Sequence, residues 1–248
     1  MSTPLSNSVP LPIHDGTLEV HLLGMVDYGA TLALQEQQVY ELSGQENRNG
    51  SLILCEHPLL VSMGREASRS QLLLDDDEIR RRELTVQWVG RGGGAYVHGP
   101  GQLAIYLQVP LQRLGIGLAQ FRTLFEFAVL KVLHEMKIPS RRMDDATGIW
   151  SRNGHLAYFG AAVKSWISCH GMYLNVSIDP RLLEWTQSNV SGARSTTIQS
   201  LRLDPVRMPQ IRELLIRELS HHFGYASAEV STGHPLLRRQ LQRVILHA

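Results

Sequence analysis

Residues 90–102 read Gly-Arg-Gly-Gly-Gly-Ala-Tyr-Val-His-Gly-Pro-Gly-Gln, six glycines and a proline in thirteen positions, between strand-like runs at 85–89 and 103–109. That density rules out a helix and lets the backbone approach a neighbour or a ligand closely. The first six residues satisfy the Gly-x-Gly-x-x-Ala pattern of dinucleotide-binding loops. Tyr96 to Pro100 follow them, however, and these residues do not open a helix, so no helix N-terminus is available to hold a pyrophosphate. No Walker lysine is present either. Two readings remain: a long hairpin with turn glycines, or a ligand loop in which Arg91 and His98 supply the oriented polar groups.

The flanking segments predict an α/β (α+β) chain with a mixed, largely antiparallel sheet and packed helices. A strand is expected at 17–23, and Asp27 is expected to start a helix that ends near Gly44. Two adjacent short strands, at 51–55 and 59–63, are expected to be joined by a turn at Glu56-His57-Pro58, followed by a charged helix at 75–83. Apolar spacing at Leu118, Phe121, Phe125, Ala128, Val132 and Met136 predicts the clearest helix, over 118–136. Four strands are expected from 149 to 178, with Asn153-Gly154 turning a hairpin. An amphipathic helix is expected at 205–223 and a final basic one at 236–246. Three regions follow: a flexible N-terminus at 1–16, one domain at 17–223 and a helical appendage at 224–248.

Lys+Arg 24 against Asp+Glu 23 leaves no sequence-wide field for nucleic acid or an anionic membrane, and no stretch is long and apolar enough to span a bilayer. A cytoplasmic protein is expected. Cys55 and Cys169 lie in apolar runs and read as reduced core thiols. Eleven histidines without ligand spacing give no metal signature, and no cofactor is expected.

Residues 91–102 resemble the Arg-Gly-Gly-x-x-Thr-Tyr-His-Gly-Pro-Gly-Gln signature of the lipoate-protein ligase B type of octanoyltransferase. Further pieces match in order: Asp27-Tyr28 with Gln35, Glu56-His57-Pro58 with Gly64, Gly148-Ile149-Trp150, and His170-Gly171-Met172-Tyr173-Leu174-Asn175-Val176. The resemblance spans residues 24–201 and implies the fold of the biotin and lipoate protein ligases. It also implies transfer of octanoyl from acyl carrier protein to a lysine of a lipoyl domain, in a 2-oxoacid dehydrogenase or a glycine-cleavage protein. By position it assigns the acyl chain to Arg91, Gly92, Gly93, Gly94, Ala95, Tyr96, Val97 and His98, to Tyr158, Phe159 and Gly160, and to Gly171, Met172 and Tyr173.

At two positions the chain departs from the pattern. Where the family carries its lysine, this sequence has His155-Leu156-Ala157, and where it carries its cysteine nucleophile, Val190-Ser191-Gly192. A serine nucleophile needs a base, and a neutral imidazole is one, so Ser191 with His155 is the candidate catalytic pair. Asp144, Asp145 or Asp179 is the candidate orienting carboxylate. The competing reading is a catalytically silent homologue that binds an acyl chain, a carrier protein or a lipoyl domain. An ATP-using ligase is a third reading, weakened because its lysine is also replaced. Tyr96 and Tyr158-Phe159 are bulkier than the family residues, which predicts a narrowed tunnel and a shorter acyl group or none. Cys169 is expected to face away from His170, Lys164 to be exposed, and His57 and His170 to be either pocket residues or structural histidines. Arg238, Arg239 and Arg243 form a candidate surface for an acidic carrier protein.

Overall fold

The computed structural model describes residues 9–143, 145–187 and 194–237. In chain order the elements are β1 (His14–Met25), α1 (Tyr28–Ser43), β2 (Gly50–Glu56), β3 (Leu60–Met63), α2 (Asp76–Arg81), β4 (Thr85–Trp88), β5 (Ala95–His98), β6 (Gln102–Gln108) and α3 (Leu111–Leu114). They continue with α4 (Leu118–Glu135), β7 (Ile149–Ser151), β8 (Gly154–Lys164), β9 (Ile167–Asn175), α5 (Pro180–Leu183), α6 (Met208–Phe223) and β10 (Tyr225–Thr232).

Seven strands form one sheet in the order β10-β1-β2-β6-β9-β8-β7, and three form a second in the order β4-β3-β5. In the large sheet β1 pairs in parallel with β10 and β2, and the remaining neighbours are antiparallel. The mixed, largely antiparallel architecture expected from the sequence is therefore present.

Strand β6, QLAIYLQ, is buried along its whole length because both faces of the sheet are covered. Leu103, Ile105 and Leu107 join the larger core with Phe121 and Phe125 of α4 and Leu215 and Leu219 of α6. Ala104 and Tyr106 point the other way, into a core shared with Tyr28 and Leu34 of α1 and with Leu60 and Tyr96 of the small sheet. Period-two alternation divides the strand between the two layers. The site lies in the second layer, between the sheets.

Helix α1 starts where expected: the Asp27 side chain accepts a hydrogen bond from the Ala30 N–H at 2.8 Å, and Gly44 follows the last turn. Asp27→Ala leaves that N–H without its cap. We expect it to cost about 1 kcal/mol, which differential scanning calorimetry would register as a fall in Tm of roughly 2–4 °C.

Several sequence expectations are corrected. Strands β2 and β3 lie in different sheets, because the turn at Pro58 carries the chain from one to the other. The glycine-rich segment is a loop only in its first half, and Ala95–His98 is the central motif's own strand, β5, paired with β3. Between residues 149 and 178 there are three strands, not four, since the chain turns at Ser165-Trp166, both at positive φ, while Gly160 and Gly171 lie within strands. Leu118 is 41% exposed and does not join the stripe of α4. Residues 225–232 of the supposed helical appendage are β10, whose register on β1 runs from Tyr225 against His14 to Thr232 against Leu22. The unpaired edge of β1 captures this run, and Gly224 in the left-handed conformation, φ 76°, separates it from α6. Residues 238–248, which include Arg238, Arg239 and Arg243, lie outside the described residues.

Candidate functional site

The glycine-rich loop is clamped between the two sheets by its own backbone. Gly64 N–H donates to Gly94 O at 3.1 Å, and Gly92 N–H donates to Ala161 O of β8 at 3.0 Å. A Cβ on Gly64 would lie 2.2 Å from Gly93 O, and one on Gly160 2.6 Å from Gly92 O, so both positions need glycine for close backbone approach. Under this loop the Arg91 side chain is fully buried. Its guanidinium donates to Ser62 O and Ser62 Oγ, each at 2.7 Å, and to Gly92 O at 2.9 Å.

His98 is equally enclosed. Its Nδ1–H donates to Gln102 Oε1 at 2.8 Å, which leaves Nε2 to accept from the Ser62 hydroxyl at 2.7 Å. Gln102 Nε2 in turn donates to Asn175 Oδ1 at 2.8 Å. Burial holds His98 well below the ordinary imidazole pKa, with His57 and Arg91 adding to the effect. The hydrogen-bonding groups of Arg91 and His98 are therefore committed to protein partners, and both residues build the wall of the site.

The positions assigned by resemblance to the acyl chain divide between faces. Tyr96, Tyr158 and Tyr173 enter the core between the sheets. Phe159 and Met172 join the core under α4 and α6, and Ala95 and Val97 join the core on the far face of the small sheet. Gly94 abuts Gln71, whose Oε1 would be 2.5 Å from an added Cβ. The residues that meet are thus Arg91, Tyr96, His98, Tyr158 and Tyr173, with Gly92, Gly93, Gly160 and Gly171 allowing close approach.

Their side chains fill the space they enclose. Tyr96 stacks on Tyr158 with centroids 4.7 Å apart and an angle of 15°. The Arg91 guanidinium lies 3.7 Å from the Tyr96 ring centroid, and Tyr96 Oη donates to Phe159 O at 3.1 Å. Both tyrosine rings are buried. The column continues from Tyr158 to His155, edge-on at 4.6 Å, and from His155 to Trp150, stacked at 3.9 Å and 4°.

His155 is 3% exposed, and neither ring nitrogen has a hydrogen-bond partner of good geometry among the described residues. Burial pulls its pKa down to about 3, only partly opposed by backbone groups of Ala157 and Thr147, so the ring is neutral. Its main chain holds the segment that follows Ser191. His155 N–H donates to Arg194 O at 2.9 Å, Thr196 N–H donates to His155 O at 3.0 Å, and Tyr158 Oη donates to Ser195 Oγ. Ser191 and Asp144 lie outside the described residues.

The other proposed orienting carboxylates are elsewhere. Asp179 caps α5 and pairs with Arg181, and exposed Asp145 is not among the partners of His155. A buried carboxylate that sequence reasoning missed, Glu126 on α4, organises the neighbouring turn instead. It accepts from Gly148 N–H at 2.7 Å and from Arg142 Nε at 2.6 Å, holding the Gly148-Ile149-Trp150 segment beneath His155. Its apolar neighbours at helical spacing gave no hint of a partner twenty-two residues away.

Cys169 does not face away from His170: both line one cavity. The alternation fails because His170 sits at φ +59° within β9, which turns its side chain. His57 is a satisfied histidine, donating through Nδ1 to Val26 O at 2.8 Å and accepting through Nε2 from Tyr106 Oη at 2.7 Å. Lys164 is exposed, as expected, and pairs with Glu36 at 3.3 Å.

Among the described residues no helix is long and apolar enough to cross a membrane. Comparison with known proteins places this geometry. Residues 27–223 match the family described as the lipoyl protein ligase A/B catalytic domain. An octanoyltransferase of Roseiflexus sp. (strain RS-1) is 30% identical over 221 residues, 88% of this chain and 92% of that protein. One from Geobacter sp. (strain M21) is 32% identical over 182 residues, 73% of this chain and 84% of its own length. Among solved structures, lipoate-protein ligase A bound with ATP superposes with a TM-score of 0.70 at 17% identity, covering 90% of this chain and 91% of that one. The bi-partite lipoate protein ligase from Thermoplasma acidophilum gives 0.69 at 14%, with 89% of each chain covered. These two likenesses establish the fold, and the matched span, most of the chain, establishes that the protein belongs to the lipoyl protein ligase A/B catalytic-domain family.

Proposed function

We propose that this protein is an acyltransferase of the octanoyl/lipoyl kind, taking an acyl group from an acyl carrier protein thioester and passing it to a lysine of a lipoyl domain, with Ser191 in place of the family's cysteine. The supporting observation is the setting of His155: a buried, neutral imidazole whose main chain is hydrogen-bonded to Arg194 and Thr196. Three peptide units, at most about 11 Å of extended chain, separate Arg194 from Ser191.

In this reading Ser191 Oγ attacks the thioester carbonyl while a ring nitrogen of His155 takes its proton. The carrier thiol leaves with that proton, and an oxyester on Ser191 remains for the lysine amine. The aromatic enclosure keeps His155 unprotonated at neutral pH, yet it also makes the imidazolium costly, so acylation is expected to be slow. The stacked Tyr96 and Tyr158 favour an acyl group shorter than octanoyl.

The test is intact-mass measurement after incubation with acetyl-, butanoyl- and octanoyl-acyl carrier protein, followed by acid quench and peptide mapping. An ester on Ser191 that Ser191→Ala and His155→Ala each abolish, most abundant with the shorter donors, is the expected result. Donor left intact with no adduct would overturn the proposal. ATP dependence of transfer would overturn it in favour of a ligase.

A further inference from the structure

The face of β8 that carries Tyr158 and Gly160 into the aromatic column carries Ala162 next, and Ala162 lines a separate cavity of about 520 Å³. That is within the range of small-ligand sites. None of the residues assigned to the acyl chain or to catalysis lines it. The Gly92 N–H to Ala161 O bond ties the glycine-rich loop to β8 between the two sites.

The apolar part of the wall includes Leu32 and Val39 of α1, Val89 after β4, and Ala162 of β8. The charged residues that line it are Arg65, Lys164 and Glu36. Lys164 and Glu36 pair with one another, while exposed Arg65 has no ion-pair partner among the described residues. The cavity therefore carries one uncompensated positive charge.

Two of its buried side chains are incompletely satisfied. Gln35, 2% exposed, uses Oε1 to accept the His170 N–H at 2.7 Å, but among the described residues its Nε2 has no partner, nor does His170 Nδ1. His170 is also held at φ +59° within a strand, a conformation that costs energy and persists where surroundings impose it. Burial, with Arg91 and Arg65 adding to it, pulls His170 down to about 4, so a neutral ring sits in a positive field.

We infer that this cavity is a second ligand site, for an aliphatic carboxylate whose chain lies against Leu32, Val39, Val89 and Ala162 and whose anionic head meets Arg65. The ligand is an amphiphile because the wall is part apolar and part polar, and an anion because the uncompensated charge is positive.

Cys169, on the cavity wall and partly accessible, reports occupancy, whereas Cys55 is fully buried and does not. The experiment measures the rate of Cys169 alkylation by N-ethylmaleimide, mapped by peptide mass spectrometry, against sodium octanoate and against 1-octanol. Octanoate is expected to slow alkylation at millimolar concentration and 1-octanol to leave it near the control rate. Arg65→Gln, at an exposed position, should raise the half-protecting octanoate concentration roughly threefold, and Ala162→Phe should remove octanoate dependence altogether. Circular dichroism checks that both variants fold. Alkylation unaffected by octanoate, equal protection by 1-octanol, or an unchanged midpoint in Arg65→Gln would each overturn the inference.

Discussion

Lowering the pH from 7 to 5 is expected to remove about 6 kcal/mol of folding stability through three histidines alone. Burial depresses His57 and His170 to about 4 and His155 to about 3, against 6.5 in an unfolded chain. Between these limits the unfolded state binds a proton that the folded state refuses. The stability is fully present above pH 6.5 and falls as pH drops toward 4, by about 2 kcal/mol per histidine at pH 5. Against a total of about 5–15 kcal/mol for typical domains, such a loss is decisive. Urea unfolding followed by circular dichroism at pH 7, 6 and 5 checks it, and a midpoint independent of pH would contradict it. His155→Phe keeps a ring against Trp150 and removes one titrating group, so its stability should depend less steeply on pH below 6. The same depressed pKa means that the rate of acyl transfer should show no inflection from His155 between pH 6 and 8.

Gly171→Ala is expected to cost about 3 kcal/mol, lowering Tm by roughly 6–12 °C. The added Cβ would lie 2.1 Å from Ile105 O and 3.3 Å from Phe125 Cε1. A flexible side chain could swing aside, but Ile105 O is backbone of β6, which is paired with β2 on one side and β9 on the other. Relief requires a strand to shift within a sheet covered on both faces. Gly90→Ala is the control: it has no atom within 4 Å of the new Cβ and should melt with the parent protein. Thermal unfolding at pH 7 measures both, and a Gly171→Ala protein as stable as Gly90→Ala would refute the packing argument.

Much of the site was legible because its information is local. The Arg91 to Gln102 motif, the Asp27 cap and the Gly148-Ile149-Trp150 triplet are short words whose conformational demands are written in consecutive residues. The destinations of their side chains were less so. Ala95 and Val97 carry the same motif as Tyr96 and His98, yet strand alternation sends the first pair to the far face of the small sheet. Cys169 and His170 misled in the opposite direction, since alternation assumes extended backbone and His170 is not extended.

By itself the sequence determined the fold class and the family, because glycine patterns, helix caps and apolar periodicity act over a few residues. Only the tertiary structure decided that residues 225–232 complete the large sheet, that Arg91, Tyr96, Tyr158, His155 and Trp150 form one column, and that a cavity opens beyond it. Each of those outcomes depends on contacts between segments far apart in the chain, where packing and burial, rather than local preference, select the conformation.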